Sequence, residues 1–224
     1  MELETLEMIK DAYGAVCIVI ALTVVYMGLR GSYGTTQGML TAFSAVGILG
    51  ISGAIALSSD PSKIDWIDDW IITVPLILLS FAFVRYDGRG LNDIDGLDWP
   101  WFAVITFLLI GSAQPFLTEV DTEPTLGFFL LFLIWIGTFV IFGIEWWNDE
   151  RELDGFEYAV FVVLAIYPIL VLLGAGTLNV IEDYQGSWLD EMGYSFYAYQ
   201  AMLIGLSVFC KIGLSVYHLM QVRD

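Results

Sequence analysis

Three ionisable side chains lie deep inside long apolar stretches of the sequence, namely Asp69, Lys211 and His218. Burying a charge in hydrocarbon is costly, so residues of this kind face the interior of a helix bundle and usually mark function. A lysine in an apolar pocket becomes a nucleophilic amine, which can condense with an aldehyde to form a Schiff base. A protonated Schiff base needs a buried counterion, and Asp69 is the candidate. The alternative on spacing alone is a Lys–Asp pair that only fixes helix register.

His218 is the sequence's only histidine. Because a helix repeats its faces every three, four and seven residues, Ser207, Lys211, Ser215 and His218 share one face. At roughly 1.5 Å per residue, His218 stands about 10 Å from Lys211 along the helix axis. Neutral imidazole accepts a proton near neutral pH, so we predict a proton acceptor that is reached through Ser215 or ordered water. The alternative is a histidine at a helix end, near the lipid headgroups.

Seven long apolar runs must hold these side chains. The chain has 224 residues, of which 58% are hydrophobic, and a mean hydropathy of +0.74, whereas soluble domains contain about 45–50% apolar residues. A helix needs about 20 apolar residues to span the hydrocarbon core of a membrane. The predicted spans are 10–30, 38–58, 66–86, 100–118, 125–146, 156–176 and 196–220.

The runs therefore predict an all-α membrane protein, a single seven-transmembrane-helix bundle over residues 1–224. Such a chain crosses the lipid bilayer of the cell membrane as a multi-pass protein, and its loops are short. The first run follows an acidic stretch and lacks a basic n-region, which disfavours a cleaved signal peptide.

Basic residues in the loops indicate how the bundle is oriented. With seven spans, the loops on one side hold five arginines, whereas those on the other hold only Lys10 and Lys63. The arginines are Arg30, Arg85, Arg89, Arg151 and Arg223. Because the basic side faces the cytoplasm, we predict an N-terminus outside and a C-terminus in the cytoplasm.

The formal net charge of −18 is large for a chain of this size. Dense surface carboxylates suit high salt, which indicates a salt-loving, haloarchaeal-like source, with an ordinary acidic membrane protein as the alternative. Nucleic-acid binding has no basic patch to support it. Cys17 and Cys210 fall within predicted spans and lack metal-ligand spacing, so we interpret them as small apolar residues and expect no metal.

Three segments on different predicted helices carry a resemblance to a known family. Residues 69–79, Asp-Trp-Ile-Ile-Thr-Val-Pro-Leu-Ile-Leu-Leu, look like the third helix of the microbial (type 1) rhodopsins. Tyr-Pro at 167–168 resembles the family's sixth helix, and Phe-Cys-Lys at 209–211 resembles its retinal-binding segment. The motifs occur on the expected helices in the expected order.

The resemblance implies a role for each matching residue. Lys211 would carry retinal as a covalent Schiff base, and Asp69 would be its counterion. The residues that would line or shape the retinal pocket are Trp70, Thr73, Pro75, Tyr167, Pro168, Ser207 and Cys210. The implied activity is transport or light sensing, and we do not expect an enzyme.

Departures from the outward-pumping members favour another subfamily. Three residues before Asp69, Trp66 replaces an arginine, and Ser207 replaces a second acidic counterion. Ser80 stands where outward pumps have a cytoplasmic proton donor, and Leu164 replaces a sixth-helix tryptophan. Trp66, the non-acidic Ser207 and Phe-Cys-Lys are similar to the xenorhodopsins, which pump protons inward.

The same resemblance places both ends of a proton path. In xenorhodopsins a residue seven positions after the lysine, often aspartate, takes part in proton acceptance, and His218 has that place here. On the outer side Asp65, one turn before Asp69, would pass protons inward. The alternative is that Asp65 and Asp68 are solvated acids at a helix N-terminus, where the dipole favours them.

The leading hypothesis is thus a light-driven inward proton pump, whose partners are the lipid bilayer and protons. A photosensor of the same fold is the runner-up, an outward pump is third, and a chloride pump is disfavoured because Asp69 would repel the anion. A retinal-free helical protein with a structural Lys–Asp pair is a different class. A homo-oligomer stays open, and no nucleic-acid partner is expected.

Overall fold

The computed structural model describes residues 2–60, 66–84, 99–118, 154–173, 185 and 187–223, together with 129–130, 132–134, 136–137 and 140. The regular elements in these residues are helices, in agreement with the predicted class. Those with complete bounds are α1 (Leu3–Leu29), α2 (Thr36–Ser58), α3 (Trp66–Val84), α4 (Trp99–Thr118), α5 (Gly155–Leu173), the short α6 (Trp188–Glu191), α7 (Phe196–Ser207) and α8 (Leu214–Gln221).

A π-helical segment, Val208–Gly213, joins α7 to α8 without a break, and the three together are called the C-terminal rod. π-Helical turns are rare and occur frequently at functional sites. The segment buries Cys210 and Lys211. The sequence alone predicts one regular helix here, so the local widening is a finding of the structure.

Six predicted spans coincide with α1–α5 and the C-terminal rod, whereas most of the fifth, 125–146, lies outside the described residues. Within the part described, α1, α2 and the C-terminal rod are long and apolar enough to cross a membrane. Their mean hydropathies over an apolar stretch of 18 residues are 2.2, 2.0 and 1.6. The first helix begins at Leu3, seven residues before the predicted span. Its first two turns are polar, so hydropathy alone does not detect them.

Lys10 is therefore not a loop residue, and that part of the sequence interpretation is wrong. It lies inside α1 and its side chain is buried. The loops on the N-terminal side then retain Lys63 alone of the two lysines, and Lys63 lies outside the described residues. The arginine bias used for orientation becomes larger as a result.

Helices α1 and α2 pack closely through glycine. A Cβ added at Gly53 would lie 2.9 Å from the carbonyl oxygen of Gly14, so these backbones can approach only without a side chain there. The connection between the helices begins at Gly31, whose φ of +81° suits a glycine after a helix end. The Thr35 hydroxyl then caps α2 by accepting from the N–H of Gly38 at 3.0 Å. This pairing sets the last turn of α2 beside the beginning of α1.

Candidate functional site

Lys211 and Asp69 form a buried ion pair between the C-terminal rod and α3. The Lys211 Nζ donates to Oδ2 of Asp69, and the two residues are 2% and 3% exposed. The other carboxylate oxygen, Oδ1, accepts from the Ser52 hydroxyl at 2.6 Å. Helices α2 and α3 and the C-terminal rod thus meet at one carboxylate. A charged pair tolerates such burial when its remaining hydrogen-bonding atoms are also satisfied.

Two further residues of the α3 motif act on the backbone near Asp69. The Thr73 hydroxyl donates to the backbone carbonyl of Asp69 at 2.8 Å, and Thr73 is fully buried. Pro75 lies inside α3, which continues to Val84. Because proline has no N–H, the carbonyl one turn earlier loses its helical donor. These residues shape the helix that carries the carboxylate.

An aromatic pair encloses the site from α3 and α5. The rings of Trp70 and Tyr167 meet edge to face, with centroids 5.4 Å apart. The Tyr167 hydroxyl lies 2.6 Å from the Ser207 hydroxyl and donates to the Leu203 carbonyl at 3.3 Å. Tyr167 therefore ties α5 to the C-terminal rod one turn before Lys211.

The remaining pocket candidates, Cys210 and Pro168, lie on the C-terminal rod and on α5. Cys210 is buried, and its Sγ is 3.9 Å from the carbonyl oxygen of Val160 on α5. Pro168 follows Tyr167 in α5, and its side chain lies outside the described residues. Leu164, where the rhodopsins that the sequence resembles have tryptophan, packs against the core. A buried primary amine, a buried carboxylate and an aromatic pair form a set that fits a retinal Schiff base.

On the side of the pair toward the start of α3, Trp66 takes part in a buried hydrogen bond. Its indole Nε1–H donates to the Gln200 side-chain oxygen at 2.6 Å. Asp68 is exposed and accepts from the side-chain amide of Gln114, as the interpretation of a solvated acid requires. Asp65, the predicted outer relay, lies outside the described residues.

At the opposite end of the site, His218 belongs to a buried polar cluster. Its Nδ1 is 3.1 Å from the Ser80 hydroxyl, and its Nε2 is 3.1 Å from Oε1 of Glu157. His218 is fully buried and Phe81 packs edge to face against it, with centroids 5.0 Å apart. The alternative of a histidine among lipid headgroups does not fit this position.

Glu157 is a member of the cluster that sequence reasoning missed. It lies in the first turn of α5, at the margin of the predicted span, where acids usually face water. A signal was present in Asp154-x-x-Glu157, since a capping residue followed by Glu three positions later marks a helix start. The N–H groups of Phe156 and Glu157 donate to Oδ1 of Asp154 at 2.9 and 3.0 Å, and the backbone N–H of Asp154 lies 3.4 Å from Oε2 of Glu157.

Asp154 also joins α5 to the end of the C-terminal rod. Its Oδ2 accepts from the Tyr217 hydroxyl and from the Gln221 side-chain amide, the latter at 3.0 Å. Partial burial raises the pKa of Asp154. The hydrogen bonds from Tyr217 and from two backbone N–H groups together lower it by more, so the pKa lies below its ordinary value. The Asp154 carboxylate thus links the start of α5 to the end of the C-terminal rod, close to His218.

Ser215 is buried between Lys211 and His218 in the chain, and its hydroxyl has no hydrogen-bond partner among the described residues. The same is true of the buried Thr41 and Ser44 hydroxyls on α2, which packs against α8. Buried hydroxyls of this kind usually bind ordered water. Bridging by Ser215 stays a prediction.

Comparison with known proteins places the fold. No protein-family model matches the sequence, and no curated protein matches it. The crystal structure of cyanorhodopsin N4075R from the cyanobacterium Tolypothrix sp. NIES-4075 is similar, with a TM-score of 0.63 and 16% identity over 100% of both chains. This chain has the fold of a rhodopsin. At this identity the similarity concerns the fold alone, so the roles of individual residues depend on the contacts described above.

Proposed function

We propose that this chain is a microbial rhodopsin of the xenorhodopsin type, which binds retinal as a Schiff base on Lys211 and transports protons inward in the light. The observation that carries the proposal is the contact of the Lys211 Nζ with Asp69, together with the buried polar cluster around His218 on the same rod. Retinal bound on Lys211 would supply a light-driven isomerisation that changes the direction and proton affinity of that nitrogen.

The proposed orientation is supported by the basic residues of the loops. The excess of arginine in the loops on the C-terminal side favours a cytoplasmic position for that side, and hence for His218 and Glu157. Asp69 then faces the outer half of the membrane. An inside-negative potential favours inward proton movement by about 2.3 kcal/mol per charge for each 100 mV.

The cluster at His218 can relay a proton. The Ser80 hydroxyl donates its proton to the Ile77 carbonyl at 2.7 Å, so it accepts from the Nδ1 of His218. Nε2 and the Glu157 carboxyl then face each other at hydrogen-bond distance, which requires one proton between them. These proton positions are assigned from the hydrogen-bond network. A proton that arrives from Lys211 would release the held one toward the cytoplasm.

The residues on the outer side of Lys211 support the return of a proton to its nitrogen rather than rapid release of a proton to the outside. Asp69 is the described carboxylate in contact with Lys211, and it would return a proton to that nitrogen from outside. The Trp66–Gln200 hydrogen bond occupies the region one turn outward of Asp69. Where outward pumps resembling this chain have an arginine, the site has an indole that binds an uncharged amide.

One observation favours outward transport as a second candidate function. Glu157 is a buried carboxyl at the end predicted to be cytoplasmic, and its Oε1 lies 3.1 Å from Nε2 of His218. A group of this kind can serve as a proton donor, which the sequence alone did not supply because Ser80 stands at the usual donor position. The direction of transport distinguishes the two functions.

The decisive experiment is illumination of intact cells or vesicles of known orientation, with retinal added and a pH electrode in the medium. Inward transport makes the medium around cells more alkaline, a protonophore cancels the signal, and Lys211→Ala gives none. Acidification would show an outward pump, and a coloured protein without any pH signal would show a photosensor. A protein that stays colourless with retinal would reject the proposed cofactor.

A further inference from the structure

Lys10 places a second buried cation near the outer side of the Lys211–Asp69 pair. Its side chain is 3% exposed, and its Nζ donates to the carbonyl oxygens of Ala56 at 2.7 Å and Ser59 at 3.0 Å. These carbonyls are at the C-terminal end of α2, where the helix dipole favours a cation. Its carboxylate neighbour Asp11, at 2.9 Å, is 53% exposed, so water screens that pair.

Lys10 and Asp69 line the same small cavity. The walls are completed by Tyr13, Ser52, Ile55, Ala56, Trp66 and Ile204. Helix α2 connects the two charged groups directly, because Ser52 donates to Asp69 and Ala56, four residues later, accepts from Lys10. Ser52 and Ala56 are about one helical turn apart, or about 6 Å along the helix axis. Charged groups that line one small cavity interact appreciably where little water separates them.

We propose that Lys10 is a positioning residue for the proton chemistry at Asp69, because its ammonium acts across the cavity and stabilises the ionised carboxylate. It would supply from α1 the outer positive charge that Trp66 does not. The inference deepens the proposed function, since Asp69 is the counterion there, but the interaction between Lys10 and Asp69 exists whether or not retinal is bound.

The electrostatic surroundings of Asp69 make Lys10 the group to test. The titratable groups that face the Lys211–Asp69 pair from the described elements are Lys10, Tyr13 and Cys17 of α1, Tyr167 of α5 and Lys211 of the C-terminal rod. On α3 itself, Asp68 is exposed and bound by Gln114 of α4. Within this set only the two lysines carry positive charge, and Lys211 is needed for the chromophore.

The test is an infrared titration of Asp69 in the retinal-free, full-length protein in membranes. The carbonyl stretch of the protonated carboxyl is assigned by its loss in Asp69→Asn. Lys10→Gln removes the charge but keeps an amide donor for the two carbonyls. In this variant the protonation midpoint of Asp69 should move up by about one pH unit. Lys10→Arg keeps the charge and should leave the midpoint near that of the unmodified protein.

Asp11→Asn gives a second measurement in a protein with Lys10 intact. Removing the neighbouring anion should move the Asp69 midpoint down by a few tenths of a unit, because the exposed pair is partly screened. An unchanged midpoint in folded Lys10→Gln, or the same rise in Lys10→Gln and Lys10→Arg, would reduce Lys10 to a cap of α2 and overturn the inference. Failure of the proposed function looks different, because it would leave the protein colourless with retinal while the retinal-free titration still responds to Lys10.

Discussion

His218 and Glu157 come from the C-terminal rod and from α5, 61 residues apart in sequence, and their Nε2 and Oε1 atoms lie 3.1 Å apart. The pair is buried, and Ser80 fixes the orientation of the imidazole from α3. Three helices therefore meet at His218, as three meet at Asp69. The described residues therefore contain two polar centres, one at Lys211 and Asp69 and one at His218 and Glu157, and the proposed proton transport would use both.

Lys211 provides the first prediction. If retinal is attached to its Nζ, Lys211→Ala should abolish the visible absorption band even when retinal is added, because no other described lysine lies in the aromatic site. Lys211→Arg should do the same, because its guanidinium keeps the positive charge beside Asp69 but cannot form a Schiff base with retinal. The absorption spectrum of purified protein measures this. A coloured variant with covalently bound chromophore would exclude Lys211 as the attachment site.

Asp69 provides the second prediction. Asp69→Asn leaves the cation on Lys211 buried without an ionic partner, a change that typically costs about 3–5 kcal/mol unless the proton is lost. The visible band should therefore shift strongly, or move to the ultraviolet as the nitrogen deprotonates. Ser52→Ala is the matched control, because it removes the hydrogen bond to Oδ1 and keeps the carboxylate, so its spectral shift should be smaller. A spectrum of Asp69→Asn that is unchanged across pH would assign the counterion to another group.

Much of the central site follows from the sequence because few ionisable groups can be buried in an apolar bundle. Helical periodicity put Lys211, Ser215 and His218 on one face, and the cost of a buried charge suggested Asp69 as a partner. The widened π-helical turn around Lys211 could not be predicted in the same way. It depends on packing between the rod and its neighbours, and no residue type in Val208–Gly213 specifies it.

Lys10 and Glu157 were harder to place for a related reason. Both lie near the margin of an apolar run, where the direction of a side chain decides whether it meets water or the protein interior. Hydropathy reports the run and not that direction. The close packing of α1 on α2 turns Lys10 inward, and the capping interaction at Asp154 sets the first turn of α5, in which Glu157 faces His218.

Asp154 provides the third prediction, on stability. Hydrogen bonds lower the pKa of its carboxyl below the ordinary value of 3.8, so the ionised form stabilises the fold. That contribution is complete above the ordinary value and is lost as the pH falls through the lower native pKa. Asp154→Ala should cost about 1 kcal/mol of stability at neutral pH through loss of the helix cap.

The measurement is thermal unfolding in detergent or lipid at several pH values. Asp154→Asn is the control, because its side-chain oxygen can still cap α5 while its charge is absent. The difference in stability between the unmodified protein and Asp154→Asn should shrink as the solution becomes strongly acidic. A difference that stays constant with pH would mean that the charge of Asp154 contributes nothing to holding α5 against the rod.

The last prediction concerns which proton-transfer step depends on the His218–Glu157 pair. In an inward transporter the pair receives the proton that leaves the Lys211 nitrogen, so His218→Ala and Glu157→Gln should slow that loss by about tenfold or more, equivalent to roughly 1.4 kcal/mol in the barrier. Recovery from the outside through Asp69 should change little. Flash photolysis of the visible band resolves both phases, and Ser80→Ala, which leaves both members of the pair in place, should have the smaller effect. If instead proton loss is normal and recovery is slow in Glu157→Gln, Glu157 is a donor and transport is outward, whereas unmodified kinetics in both variants would remove the pair from the path.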